Sequence, residues 1–210
     1  VANCQTKQGR LGVRIIAKRM TADMTNVPVQ IPVYLDNHAT TRLDPRVLEA
    51  MMPYLTTEYG NASSTTHLYG MRAKEAVERA RSQVAALIGA SPKEIIFTSG
   101  ATESINAALK GALACSSRKR VVTTAIEHKA VLDCCHFLQS RGIEVEVVPV
   151  TSEGFVDLAA LQTALQEETA LVSIIHANNE IGTIQPLEEI ARLAKPHGAL
   201  LHVDAAQSLG

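Results

Sequence analysis

Beyond residue 90 the chain settles into an alternation. Short runs rich in β-branched and aliphatic residues sit at Ile95–Phe97, Val121–Thr124, Val145–Val148, Leu171–Ile175 and Leu200–Val203. Between them, apolar residues recur at helical spacing over Ser104–Cys115, Lys129–Arg141, Asp157–Glu167 and Pro186–Lys195. Strands alternating with helices of this length predict βαβ units and an α/β fold, a mostly parallel sheet with helices on both faces. The punctuation agrees, since Asp157 can cap a helix start and Gly142 closes the helix ending at Arg141.

Upstream the pattern is less regular. Pro32-Val-Tyr-Leu35 is strand-like and leads into the polar loop Asp36–Thr41. Asp44-Pro45 places an N-cap before a proline at the first helical position, predicting a helix to about Leu55. Tyr59–His67 is a Ser/Thr-rich loop, too long to be a mere connector. A longer helix is expected from about Arg72 to Ile88, with Val77, Val84, Leu87, Ala76 and Ala80 on its apolar face and Gly89 as its stop. Residues 1–30 differ from the rest: Lys7, Arg10, Arg14, Lys18 and Arg19 stand against one acid, Asp23. Such a basic extension fits an organelle-targeting segment, an expression remnant or translation upstream of Met20 or Met24, and is expected to lie outside the fold.

Composition narrows the function classes. The 210 residues allow one ordinary domain or a little more, and 46% hydrophobic with 20% charged residues is ordinary for a globular protein. A net charge of -1 gives no reason to expect direct nucleic-acid or anionic-membrane binding, and 3% aromatic residues leave little for base stacking. The four cysteines, Cys4, Cys115, Cys134 and Cys135, lack metal-site spacing, so no metal is expected and a reducing compartment, by default the cytoplasm, is.

In a parallel sheet the carboxyl ends of all strands face one edge, where ligands bind. After the first run comes Thr98-Ser-Gly-Ala-Thr-Glu-Ser104, entering a helix. Its small residues and the helix's free N–H groups would suit an anion, although an ordinary capped turn would look the same. It is neither a Walker A loop nor GxGxxG. After Val121–Thr124 comes Ala125-Ile-Glu-His128; after Leu171–Ile175, the polar connector His176–Gly182 with Asn178, Asn179 and Glu180; and after Leu200–Val203, Asp204 and Gln207. An anion cradle, an imidazole, an amide and a carboxylate on one edge suit a phosphorylated cofactor with a polar ring. A carboxylate at a pyridine nitrogen would make the ring a better electron sink, as pyridoxal phosphate chemistry requires. Spacing alone fits a nucleotide or a sugar phosphate equally.

The motifs taken together are more specific. Tyr34-Leu-Asp-Asn-His-Ala-Thr-Thr41, Tyr59-Gly-Asn-Ala-Ser-Ser64, Thr98–Ser104, Glu127-His-Lys-Ala-Val131, Asn178-Asn-Glu-Ile-Gly182 and His202-Val-Asp-Ala-Ala-Gln207 occur in this order. They resemble the cysteine desulfurases of the NifS/IscS type, pyridoxal 5'-phosphate enzymes of the aspartate aminotransferase fold (fold type I). The similarity spans 31–210, and the phosphate loop and His segment differ from those typical of selenocysteine lyases. Position by position, the resemblance implies that Ala101 and Thr102 hold the cofactor phosphate. It implies that His128 stacks on the pyridine ring and takes part in proton transfer. Asn179 would lie beside the cofactor, Asp204 would pair with the pyridinium nitrogen, and Gln207 would donate to the phenolic oxygen. Asn37–Thr41 and Asn61–His67 would border the substrate side. Ala62 departs from the family, which commonly has proline there.

The resemblance further implies conversion of L-cysteine to L-alanine, with sulfur passed as a persulfide to an acceptor such as an iron–sulfur scaffold or toward tRNA thiolation. It also implies a homodimer when full length. It divides the chain into residues 31–50, part of the family's small domain, and 51–210, an incomplete cofactor-binding large domain. The family's lysine that carries the cofactor lies in a Ser-x-His-Lys run after the Asp-Ala-Ala-Gln segment, and the nucleophilic cysteine and substrate-clamping arginine come later still. None has a counterpart in these 210 residues, which are therefore expected to be inactive by themselves. Cys115, Cys134 and Cys135 read as packing residues. Another class-V enzyme, such as a selenocysteine lyase, and a non-catalytic scaffold on the same sheet are the alternatives.

Overall fold

The computed structural model describes residues 32–209. The chain divides into two compact units, residues 1–37 and 38–210. Of the first, residues 32–36 are exposed and carry no helix or strand, so the strand expected at Pro32–Leu35 does not form. The basic segment 1–30 lies outside the described residues.

The second unit opens with two helices, α1 (Pro45–Thr56) and α2 (Leu68–Ile88). Asp44 caps α1 as expected, accepting the N–H of Arg46 at 2.8 Å ahead of Pro45. α2 begins earlier than its apolar pattern implies, because His67 acts as the N-cap and accepts the N–H of Gly70 at 3.2 Å. Gly89 ends it in the left-handed conformation (φ 67°). After a 3-10 turn, Pro92–Glu94, come α3 (Ala101–Ala114), β1 (Arg120–Thr124), α4 (Lys129–Gln139), β2 (Glu144–Val148), α5 (Leu158–Ala164), β3 (Leu171–Ile175), α6 (Leu187–Ala194) and β4 (Leu200–Asp204).

The four strands form one sheet in the order β2-β1-β3-β4, and every pairing is parallel. From β1 the chain steps one way, through α4, to β2. It then returns across β1, through α5, to β3 and continues through α6 to β4. Right-handed crossovers put connections that run in opposite directions on opposite faces. The core obeys this. One apolar cluster joins Val121 and Leu171 to Ile105, Leu109 and Leu113 of α3 and Val131, Cys134, Cys135 and Leu138 of α4. A second joins Val122, Val148, Val172 and Ile174 to Leu161 of α5 and Ile190 and Ala194 of α6. β1 and β3 are buried along their whole length, as central strands covered on both faces must be. The direction of winding therefore reverses between β1 and β3.

At the opposite edge Arg120 is buried, and its charge is met by Glu144 (2.7 Å), the carbonyl of Ala164 (2.6 Å) and the hydroxyl of Thr169 (2.9 Å). This satisfaction is what permits a guanidinium inside the fold.

Two further expectations need correction. Ile95–Phe97 is extended but is not a strand: no strand among the described residues runs beside it, and Ile96 is 81% exposed. A β-rich composition supplies a conformation, whereas a strand also needs a hydrogen-bonding neighbour. The apolar face expected on α2 is likewise only partly covered; Ala76, Val77, Ala80 and Val84 are half-buried, and Leu87 is 66% exposed.

Burial separates the two faces energetically. Leu109, fully buried under the sheet, should cost about 2–5 kcal/mol on truncation to alanine. Leu87→Ala on the open face should cost no more than about 0.5 kcal/mol. Denaturant unfolding of the two variants measures both.

Candidate cofactor-binding site

The reversal between β1 and β3 opens a crevice at their carboxyl ends, the place where open α/β sheets bind ligands. β1 ends at Thr124, and the turn Ala125–His128 leads directly into α4. His128 is the N-cap of that helix, its Nδ1 accepting the N–H of Ala130 at 3.1 Å. A neutral ring so engaged carries its proton on Nε2.

The connector after β3 is pinned from several directions by Asn178, which is buried. Its Oδ1 accepts the N–H groups of Glu180 (2.8 Å) and Ile181 (3.0 Å), folding the loop back on itself. Its Nδ2 reaches the other turn and donates to the carbonyl of Ile126 at 2.7 Å. One amide thereby ties the β1 and β3 loops together and leaves the next residue, Asn179, on the crevice. Along the sequence Asn178 stands out only as one polar residue of the connector His176–Gly182. Its span of 52 residues to Ile126 leaves no local signal.

β4 contributes Asp204, 7% exposed, which accepts the N–H of Ala206 at 3.1 Å on Oδ1. Gln207 follows, and its amide donates to the main-chain carbonyl of His38 at 3.0 Å. The Nδ1 of His38 in turn lies 3.0 Å from the carbonyl of Asn179. His38 was foreseen only as part of the loop Asn37–Thr41; here it bridges the β3 and β4 loops. Two further histidines lie on these elements, His202 within β4 and His176 just after β3. His202 lies 2.9 Å from the Ser173 hydroxyl, and burial holds its pKa below the usual value against the opposing charge of Asp204. His176 lies 2.8 Å from the hydroxyl of Ser208.

The first turn of α3 closes the crevice. Ser99 gives its N–H and hydroxyl to one oxygen of Glu103, at 2.7 and 2.6 Å, and these bonds hold the exposed carboxyl below its ordinary range. Thr98 and Ser104 join their hydroxyls at 2.7 Å. The loop is thus ordered by its own side chains, and no side chain caps the helix start at Gly100.

These elements bring Ala101, His128, Asn179, Asp204 and Gln207 around one cleft of about 80 Å³, with Ile175 and Ala206 completing its wall. Thr102 stands beside it on the exposed turn of α3 and does not line it. Asn61–His67 instead orders the approach to α2. On the far side of His128 a second hollow of about 410 Å³ lies between Ala125–Lys129 and Asn178–Ile181. The cleft's donor set is polarised. An uncapped helix N-terminus at one end favours an anion and a buried carboxylate at the other favours a cation, with a flat imidazole between. A planar ring carrying a phosphate on one side and a protonated nitrogen on the other matches that set.

Among the described residues no lysine lines this cleft. Lys129 is turned to Asp133 at 2.7 Å. The described cysteines are elsewhere too: Cys115 is exposed at the end of α3, and Cys134 and Cys135 are buried on α4. Burial, then the neighbouring Cys134 and Glu127, push the Cys135 thiol up to about 11, so it stays protonated and inert. Among the described residues no cluster of three His, Cys, Asp or Glu could hold a metal, and no helix is long and apolar enough to cross a membrane.

The profile of the class-V aminotransferases matches residues 33–210. The chain belongs to that family. It is 54% identical over 184 residues to cysteine desulfurase IscS of Anaeromyxobacter sp. (strain K), covering 87% of this chain and 46% of that protein. It is 49% identical over 207 residues to cysteine desulfurase of Homo sapiens, covering 96% of this chain and 45% of the human protein, so that likeness reaches into the first thirty residues. A solved structure described as a NifS-like protein superposes with a TM-score of 0.81 at 48% identity, over 84% of this chain and 49% of the other. The chain spans about half the length of the relatives it matches.

Asn178→Ala should release both loops at once. Loss of its three side-chain hydrogen bonds is expected to cost about 1–3 kcal/mol, read from the denaturation midpoint. Faster amide exchange at Glu180 and Ile181 should accompany it.

Proposed function

We propose that this chain is the cofactor-binding part of a cysteine desulfurase that uses pyridoxal 5'-phosphate. What supports this most is the convergence of Ala101, His128, Asn179, Asp204 and Gln207 on one polarised cleft at the winding reversal, in a chain about half identical to cysteine desulfurases. When bound, the cofactor supplies an electron sink for the α-carbon of an amino acid.

The chain's own residues do the rest. The first N–H groups of α3, at Ala101 and Thr102, would hold the phosphate. The buried carboxyl of Asp204 would hold a proton on the pyridine nitrogen without transferring one itself. His128 would cover one face of the ring and, with Nε2 free of the helix cap, could give or take a proton beside the substrate. Asn179 would stand beside the ring's oxygen and the substrate carboxylate. Gln207 would donate to that oxygen by exchanging its present acceptor, the His38 carbonyl, for it.

In the whole protein, L-cysteine becomes L-alanine. Its sulfur leaves to a protein thiolate as a persulfide, and from there to acceptors such as an iron–sulfur scaffold or the machinery of tRNA thiolation. That thiolate belongs to none of Cys115, Cys134 or Cys135. The whole protein works as a homodimer in the cytoplasm or an organelle. The 210 residues by themselves bind the cofactor without a covalent bond and turn over no cysteine.

Pyridoxamine 5'-phosphate tests the site without requiring a lysine. The chain should bind it, and Asp204→Asn should weaken binding about tenfold to a hundredfold, the worth of one charge-assisted hydrogen bond. Equal affinity in both proteins, or no binding to either, would sink the assignment. Borohydride treatment with pyridoxal 5'-phosphate should fix no adduct at a single lysine.

A further inference from the structure

The turn that presents His128 is built on a buried carboxyl that none of the roles above uses. Glu127 is 5% exposed. Its Oε1 accepts the hydroxyl of Thr124 at 2.7 Å. Its Oε2 is buried without a hydrogen-bond partner. The Thr124 bond closes the turn between the end of β1 and His128, which the Asn178–Ile126 bond ties to the β3 loop.

The charge around this carboxyl is the wrong sign for a carboxylate. Asp204 at the end of β4 faces it, and so does the thiol of Cys135 on α4. The neighbouring cation, Lys129, is occupied by Asp133. The remaining neighbours are the hydroxyl of Thr124 on β1 and, outside hydrogen-bonding geometry, the main-chain N–H of Ile175 on β3. An ionised group here would be buried, short of donors and repelled by Asp204, whereas a protonated one lacks only a single acceptor.

We propose that Glu127 is a positioning residue for His128 and that it serves as a neutral carboxylic acid, locking the Thr124–His128 turn in shape while leaving Asp204 the anion of the crevice. The catalytic purpose of that lock rests on the role given to His128 above; the lock itself does not. Burial pushes the carboxyl from its ordinary 4.5 up to about 7, the Thr124 hydroxyl and the Ile175 N–H pull it partly back, and Asp204 raises it further. Because the folded value exceeds the unfolded one, the stability Glu127 contributes is fully present below about pH 4.5 and is lost as pH rises through about 7.

Glu127→Gln reproduces the neutral acid in shape and charge, and Glu127→Ala removes the lock. Amide exchange at Val131, whose N–H is bonded to the main-chain carbonyl of His128 at 2.9 Å, reads the placement of that residue whatever the charge of its ring. In the 210-residue chain at pH 5.5 and pH 8, after correction for intrinsic rates, the unmodified protein should lose protection at Val131 at the higher pH. The Gln variant should stay protected at both, and the Ala variant should exchange about tenfold faster at both, the equivalent of one buried hydrogen bond. If the Gln variant behaves like the Ala variant, or if protection of the unmodified chain is the same at both pH values, the proposal is overturned. If the Ala variant does not fold, the comparison of Gln with the unmodified chain decides alone. Affinity for pyridoxamine 5'-phosphate, measured in parallel, keeps the two ideas apart. A chain that does not bind the probe removes the cofactor assignment, and the exchange data still decide the role of Glu127.

Discussion

The reversal of winding between β1 and β3 is the constraint on which the rest of this structure depends. A parallel sheet sends every strand end to one edge, and right-handed crossovers force connections running in opposite directions onto opposite faces. Where the direction changes, no connection covers the ends of the two central strands. A crevice results that needs no special residue to create it. What the sequence adds is the chemistry of the loops around it: an imidazole after β1, an amide after β3, a carboxylate at the end of β4 and a helix start at α3.

Loops at such an edge would drift without ties. Asn178 joins the β3 loop to the β1 turn, Glu127 bonds Thr124 within that turn, and His38 links Asn179 to Gln207, while the α3 loop is held by its own side chains. Such support is what keeps a site within the narrow tolerances chemistry demands. Two buried acids, Glu127 and Asp204, meet at these strand ends, and burial together with the charge of Asp204 raises the Glu127 carboxyl above its ordinary range.

Much of this was legible along the chain, for physical reasons. β1 and β3 are covered on both faces and read as short runs dominated by aliphatic and β-branched residues, interrupted only by Arg120 at the start of β1 and Ser173 within β3. The N-cap at Asp44 and the stops at Gly89 and Gly142 are local signals that the structure keeps. Ile95–Phe97 was misread because a strand is a relation between two segments, and composition describes only one. The α2 face was misjudged for the same reason, since periodicity marks a surface to be covered without naming its cover. His38, Asn178 and Glu127 escaped notice as supports because their bonds cross tens of residues or depend on burial. The residues of the cleft itself could be named from motif resemblance, and only the folded sheet put them within reach of one ligand.

The central claim is that Asp204 serves a cationic ring nitrogen in this cleft. It is tested most directly by the ¹⁵N chemical shift of ring-labelled pyridoxamine 5'-phosphate bound to the chain. The account expects the ring nitrogen to stay protonated through neutral pH in the unmodified protein and to lose its proton in Asp204→Asn. A nitrogen with the same shift in both proteins would contradict it.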